Sequence, residues 1–144
     1  MHPFYLELEL FKPVIDYFKS QGYIVRREVR IGFCRADIVA FKDGMVTAVE
    51  LKLRDWKKAV IQAKNYQLGA DYVYVTFPLM RSYNVLRKAE VTLEREGIGL
   101  LIVNEETVEV CKIINAKMSS KKLGTVTLKE INRDVSNKYV KKYR

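Results

Sequence analysis

Residues 35–52 read RADIVAFKDGMVTAVELK, and this stretch decides the fold. Two short apolar runs flank Asp43-Gly44, and Asp-Gly between such runs is a strong signal of a tight β-hairpin turn. Asp37 begins the first run, while Glu50 and Lys52 end the second. Because side chains alternate along a strand, Glu50 and Lys52 share a face, and antiparallel pairing brings Asp37 near Glu50. The stretch therefore predicts two carboxylates and one ammonium group together at one end of a hairpin.

This predicted cluster has the composition of a metal-dependent hydrolytic site. Paired carboxylates are hard oxygen ligands that suit Mg²⁺ or Mn²⁺, and a nearby lysine can activate water or stabilise charge that develops on a phosphate. On an exposed face the same residues would form a simple cross-strand ion pair. Glu50 and Lys52 stand in an otherwise apolar strand, however, where charged residues are seldom found without a partner or a task. The interpretation as a hydrolytic site is therefore favoured.

Signals on either side of the hairpin extend it into a mixed sheet. Residues 4–20 have the apolar spacing of an amphipathic helix, which Pro13 should kink or shorten. The remaining elements are predicted as a strand in residues 22–33, a helix from Trp56 to about Leu68 capped by Asp55, a strand at 71–78, a helix at 82–96, and strands at 97–104 and 107–114. The order αβββαβαββ predicts an α/β domain in which helices flank a mixed central sheet.

Two polar residues on the second predicted helix face the same way. Gln62 and Tyr66 are four residues apart, which is one helical turn. A glutamine can hydrogen-bond a carboxylate or a metal-bound water, and a tyrosine can hold a phosphate or stack on a base. Without the acidic hairpin ahead of them, both would be interpreted as ordinary residues of a helix surface.

The string D37-IVAFKDGMVTAV-E50-L51-K52 followed by Q62-AKN-Y66 resembles the PD-(D/E)XK nuclease superfamily. The QxxxY element resembles that of its RecB-like branch, and the GYxVxxEV pattern before the first acid is similar to small single-domain members of archaeal type. The resemblance covers about residues 4–78 and implies a restriction-endonuclease-like αβββαβ core. Ala36 stands where the name-giving motif has proline, a common replacement.

The resemblance also implies a role for each matched residue. Asp37 and Glu50 would hold Mg²⁺ or Mn²⁺ together with the backbone carbonyl of Leu51, and Lys52 would activate water or stabilise the transition state. Gln62 and Tyr66 would position the site and the substrate.

A glutamate of the first helix often joins such sites. Glu9 is the first choice here, and Glu7 is the alternative. Glu28, in the first predicted strand, is a further open candidate.

The basic charge is concentrated at the end of the chain. The protein has 26 Lys+Arg against 17 Asp+Glu, a net charge of +9, which indicates a polyanionic partner such as DNA. Residues 1–115, with 17 basic and 15 acidic residues, are interpreted as the nuclease-like domain. Residues 116–144, with nine basic and two acidic residues, are interpreted as a basic C-terminal segment. A helix is predicted to begin in it at about Thr127, which has capping-box spacing to Glu130. The phosphate-contacting candidates are Arg26, Arg30, Arg35, Lys121, Lys122, Lys138, Lys141 and Lys142. A solvated strand edge and a solvated terminal helix are equally consistent with these charges.

Several other classes of protein are disfavoured. No apolar run reaches the roughly 20 residues of a membrane helix, so we expect a cytoplasmic protein with no membrane partner. His2 is the only histidine, which disfavours histidine-dependent nucleases, and two cysteines are too few for an iron–sulfur cluster. The sequence leaves the oligomeric state open, with a homodimer as the first expectation because two-fold pairing is the commonest assembly.

The sequence thus predicts a metal-dependent DNA nuclease in which a metal-activated water attacks the phosphodiester. RNA would use the same site and is not excluded as a substrate. The alternative is a non-catalytic nucleic-acid-binding or assembly module that retains a nuclease fold.

Overall fold

Six strands form one mixed sheet in the computed structural model, which describes residues 4–123. The helices and strands are α1 Phe11–Ser20, β1 Ile24–Ile31, β2 Cys34–Lys42, β3 Met45–Leu51, α2 Trp56–Tyr66, β4 Tyr72–Pro78, α3 Ser82–Glu96, β5 Gly99–Val103 and β6 Val110–Ile114. The strands lie in the order β1 to β6. Pairing is parallel for β3-β4 and β4-β5 and antiparallel elsewhere. The predicted α/β class, with helices flanking a mixed sheet, is confirmed.

Apolar side chains form a separate core on each face of the sheet. On the α1 face, Val14 and Phe18 of α1 pack against a set that includes Ile38 and Val49. On the α2 face, α2 and α3 pack against a set that includes Val39. Burial on both faces explains why the central strands are almost continuously apolar in sequence.

Of the two forms that Pro13 allowed, the first helix adopts the shorter one. A 3-10 turn, Glu7–Leu10, precedes α1, which begins at Phe11 and has Pro13 in its first turn. A proline there removes no helical hydrogen bond, because the first N–H groups of a helix have no acceptor within it. Leu6 and Leu8 are consequently exposed and do not contribute to an amphipathic face.

Two other element ends differ from the prediction. Strand β3 ends at Leu51, so Lys52 follows the strand, although its N–H still donates to the carbonyl of Thr76 at 3.0 Å. Helix α2 ends at Tyr66, not near residue 68. Its predicted cap is confirmed, because the Asp55 carboxylate accepts the N–H of Lys58 at 3.1 Å.

The β1–β2 hairpin changes face partway along its length. Val25 packs on the α1 face, whereas Val29 and Ile31 pack on the α2 face, although all three have the same strand parity. Glu28 lies between them with φ +52°, a left-handed conformation that is uncommon for a residue other than glycine. The far end of the hairpin therefore bends over α2.

The first residues of the basic segment lie against the body. The Nζ atoms of Lys121 and Lys122 lie 2.8 Å and 2.5 Å from carboxylate oxygens of Glu96 and Asp71. The predicted helix from Thr127, with Lys138, Lys141 and Lys142, lies outside the described residues. Across residues 4–123, no helix has both the length and the hydropathy needed to span a membrane.

Candidate active site

The two predicted carboxylates lie side by side on neighbouring strands, where β3 ends. Ile38 pairs with Val49, so the same antiparallel register places Asp37 opposite Glu50. The Leu51 N–H donates to the Asp37 Oδ2 at 2.8 Å and fixes that carboxyl group. We call this the site edge: the end of the sheet where β3 and β4 finish and β2 begins.

Tyr66 connects the site to the bent hairpin. Its hydroxyl lies 2.5 Å from the Glu50 Oε1 and 3.0 Å from the Arg35 carbonyl oxygen. A hydroxyl carries one proton, so it donates to one of these oxygens at a time. When Glu50 is protonated it can donate to Tyr66, which then donates to Arg35; when Glu50 is ionised, the tyrosine proton can turn towards it. Tyr66 can therefore form a hydrogen bond with Glu50 whether that carboxyl group is protonated or ionised.

Lys52 and Gln62 complete the set predicted from the sequence. The Lys52 Nζ lies 3.6 Å from the Glu50 Oε2, and the Lys52 side chain is largely buried. Gln62 lies one turn before Tyr66 on α2, and its Oε1 is buried with no hydrogen-bond partner in the described part of the chain. A buried amide oxygen normally has a donor, and an ordered water is one way to supply it.

Burial and mutual repulsion raise the pKa of both carboxyl groups. Burial, and next the neighbouring Asp37, raise the pKa of Glu50 to about 8, while Tyr66 and Lys52 oppose the shift. Burial also raises the pKa of Asp37, against the effect of the Leu51 N–H. Burial beside Glu50 raises the pKa of Tyr66, so its hydroxyl stays protonated. Without a further cation, therefore, the two acids retain a proton between them near neutral pH.

These observations fit a divalent cation at the acid pair. A Mg²⁺ or Mn²⁺ ion would replace the retained proton and neutralise two buried carboxylates that a single lysine does not balance. Within residues 4–123, no cluster of three or more Asp, Glu, His or Cys residues could hold a metal. Further ligands would have to be backbone carbonyls, such as that of Leu51, or water.

The two candidate glutamates, Glu7 and Glu9, both lie in the 3-10 turn before α1. Glu9 accepts the Tyr5 N–H at 3.0 Å and lines a cavity of about 660 Å³ beside α1. The carboxylate of Glu7, by contrast, contributes to raising the pKa of Asp37. The electrostatic effect of Glu7 on Asp37 therefore favours Glu7 over the first choice, Glu9. Glu28 lies opposite Asp37 in the β1–β2 register, and its Oε2 is buried without a hydrogen bond.

The predicted phosphate-contacting residues divide between two ends of the sheet. Arg30 and Arg35 face each other in the β1–β2 register, near the site edge, and Arg26 lies further back in β1. Lys122 instead binds Asp71, whose other carboxylate oxygen accepts the Val46 N–H at the beginning of β3. Lys121 and Lys122 are therefore far from the acid pair.

The bent hairpin is the feature that sequence reasoning missed. Val25, Val29 and Ile31 are separated by even numbers of residues, as side chains on one face of a strand are. Their spacing therefore does not predict that the hairpin changes face. Beyond the crossover, the Arg35 carbonyl of this hairpin accepts a hydrogen bond from Tyr66.

Comparison with known proteins supports the fold. No family model and no curated protein sequence matches the chain. Among solved structures, an XisH family protein from Nostoc punctiforme is similar, with a TM-score of 0.57 and 20% identity over 74% of this chain and 98% of that chain. That protein has a restriction-endonuclease-like fold. At this identity the similarity shows the fold alone: this chain has a mixed α/β architecture consistent with a restriction-endonuclease-like core.

Proposed function

We propose that this protein is a metal-dependent DNA nuclease that hydrolyses phosphodiester bonds, with Asp37 and Glu50 holding Mg²⁺ or Mn²⁺. The observation that carries the proposal is the buried acid pair, which is held side by side by fixed donors and has one lysine beside it. The nuclease-like fold and the Glu-Leu-Lys sequence at the end of β3 agree with it. Charge buried in this way is costly for stability, which is typical of a functional site.

The side chains have separate tasks in this proposal. The Leu51 N–H and the Tyr66 hydroxyl orient the two carboxylates before any substrate binds. Lys52, adjacent to Glu50, stabilises negative charge that develops on the phosphate and can exchange a proton with water. The buried Gln62 oxygen accepts a hydrogen bond from a water in the site. A bound divalent cation would supply Lewis acidity and lower the pKa of water.

Cleavage of labelled DNA tests the proposal. Single-stranded, duplex and branched DNA are incubated with Mg²⁺, with Mn²⁺ or with chelator, and cleavage is expected only with a metal. Asp37→Asn, Glu50→Gln and Lys52→Ala should each reduce the rate by about a hundredfold or more. Glu90→Gln, which changes an exposed carboxylate on α3, is the matched control and should retain the rate. Cleavage that is indifferent to the three site variants would contradict the assignment.

Calorimetry distinguishes the alternative, a non-catalytic binding module. Mn²⁺ should bind the unaltered protein and the Glu90→Gln variant, but not Asp37→Asn or Glu50→Gln. A protein that cleaves no DNA and binds it with unchanged affinity after those substitutions would be the binding module. Parallel assays with RNA of the same sequence decide between the two nucleic acids.

A further inference from the structure

A fully exposed phenyl ring stands at the tip of the β1–β2 hairpin. Phe33 has a relative exposure of 106%, higher than that of any other exposed large hydrophobic residue in the described chain. Gly32 precedes it with φ +61°, and no heavy atom beyond its chain neighbours lies within 4 Å of where its Cβ would be. Aromatic rings contribute most when they are buried, so the folding of the hairpin does not explain a ring that stands clear of the body.

The stem below this ring is firmly held. Ile31 and Ala36, on either side of the tip, are 1% and 0% exposed. The Arg35 carbonyl accepts the hydroxyl of Tyr66, the residue that also contacts Glu50. The ring is therefore presented on a fixed support, and little conformational freedom is lost when it contacts a ligand.

The position of the tip relates it to the site. Phe33 is four residues before Asp37 on the hairpin, or about 13 Å at roughly 3.3 Å per strand residue. At the rise of about 3.4 Å per step of a stacked DNA strand this span is about four nucleotides, and it is fewer where the strand is extended. Arg30 and Arg35 pair in the β1–β2 register, so they bring positive charge to the stem within three residues of Phe33. A planar apolar group beside guanidinium groups matches a nucleobase beside its phosphates.

We infer that Phe33 stacks on an unpaired or unstacked base within about four nucleotides of the scissile phosphate. The inference rests on the proposed function. It narrows the substrate class to single-stranded DNA and to duplex DNA in which the base stack is interrupted. In continuous duplex both faces of each base are covered by neighbouring bases, so the ring finds no open face. Stacking of an aromatic side chain needs no particular base, so the selection is for DNA structure and not for sequence.

Binding without metal tests the stacking directly. With chelator present, affinities are measured for a duplex with a short single-stranded gap and for the same duplex without it. Phe33→Leu, which keeps the apolar bulk but removes the aromatic face, should weaken binding to gapped DNA by about 5- to 150-fold. Phe33→Trp should retain that binding. Val91→Ala, at an exposed apolar position on α3, should bind gapped DNA as the unaltered protein does, and all variants should bind continuous duplex alike.

A 2-aminopurine base beside the gap reports the contact itself, because its fluorescence is quenched by stacking. The unaltered protein and the Phe33→Trp variant should both quench this fluorescence, and the Phe33→Leu variant should not. Equal affinity of Phe33→Leu and unaltered protein for gapped DNA, or a loss with Phe33→Trp as large as with Phe33→Leu, overturns the inference. Cleavage with Mg²⁺ or Mn²⁺ is measured separately on the same DNA. Its absence refutes the proposed nuclease activity, whereas the metal-free comparison alone decides the stacking.

Discussion

Glu50 is a carboxyl group enclosed by the sheet, with 3% of its surface exposed. Its strand neighbours Val49 and Leu51 are fully buried, and Asp37 lies beside it. Burial, more than the Asp37 charge, raises its pKa from the ordinary 4.5 to about 8. The metal-free folded protein therefore keeps a proton that the unfolded chain loses between these two pH values.

This difference predicts how stability depends on pH. The contribution of the protonated Glu50 is complete below about pH 4.5 and is lost as pH rises through about 8. In chelator, its contribution to the free energy of unfolding should fall over that window by up to about 1.4 kcal/mol per pH unit. Urea unfolding at pH 5, 6, 7 and 8 measures the slope. Glu50→Gln, which has no proton to lose, should flatten the slope, and Glu90→Gln should not. If Glu50→Gln kept the full slope, other groups would be responsible.

At the scale of single residues, the hairpin made the acid pair predictable from sequence. A two-residue Asp-Gly turn fixes the register, and the register fixes which side chains are opposite each other. The 3-10 turn at residues 7–10 was not predictable in this way, and the sequence left Glu7 and Glu9 as alternatives. The contact of Tyr66 with the Arg35 carbonyl joins residues 31 positions apart and left no local pattern.

Among the strands, the pairing of β4 with β5 includes one very close contact, between Tyr74 and Gly99. Tyr74 pairs with Gly99, and its ring occupies the space where a Gly99 side chain would lie. The Tyr74 hydroxyl accepts the Ala116 N–H at 3.3 Å, and a Cβ on Gly99 would also come within 2.7 Å of that nitrogen. Gly99 is therefore required for the ring to lie across β5.

We expect Gly99→Ala to lower the free energy of unfolding by about 1–3 kcal/mol, the usual cost of overpacking. The main cause is the clash with the Tyr74 ring, which lies closer to the added Cβ than the Ala116 nitrogen does, so the same substitution in a Tyr74→Leu background should cost less. Denaturant unfolding of the four proteins in this double-mutant cycle measures the coupling. Equal costs of Gly99→Ala in the two backgrounds would show that the ring is not the cause.

The order of elements followed from sequence, while the bend in the first hairpin did not. Hydrophobic periodicity and turn residues identify each strand because each has its own apolar face. At Glu28 the backbone adopts φ +52° and moves Val29 to the other face without any change in the alternation. Beyond the crossover Val29 and Ile31 pack on the α2 face, and a single-strand pattern contains no information on this change.

For the molecule as a whole, the basic charge of residues 116–144 falls into two parts. Lys121 and Lys122 form ion pairs with Glu96 and Asp71, so part of the basic segment is engaged with the body. Residues 124–144 hold six Lys/Arg and two Asp/Glu, a net charge of +4. We therefore propose that the DNA-binding charge of the segment lies after Leu123, not across the whole of residues 116–144.

Truncation after Leu123 tests this division. Removing +4 should weaken DNA binding and flatten the slope of log affinity against log salt by about 0.9 for each phosphate contact that is lost. The acid pair and the Lys122–Asp71 ion pair remain, so Mn²⁺ affinity should change little. Lys122→Met is the matched control: it removes the ion pair with Asp71, which is largely buried, and should lower stability while keeping the salt slope. An unchanged salt slope after truncation, with a reduced slope in Lys122→Met, would instead place the phosphate contact on the body at the far end of the sheet.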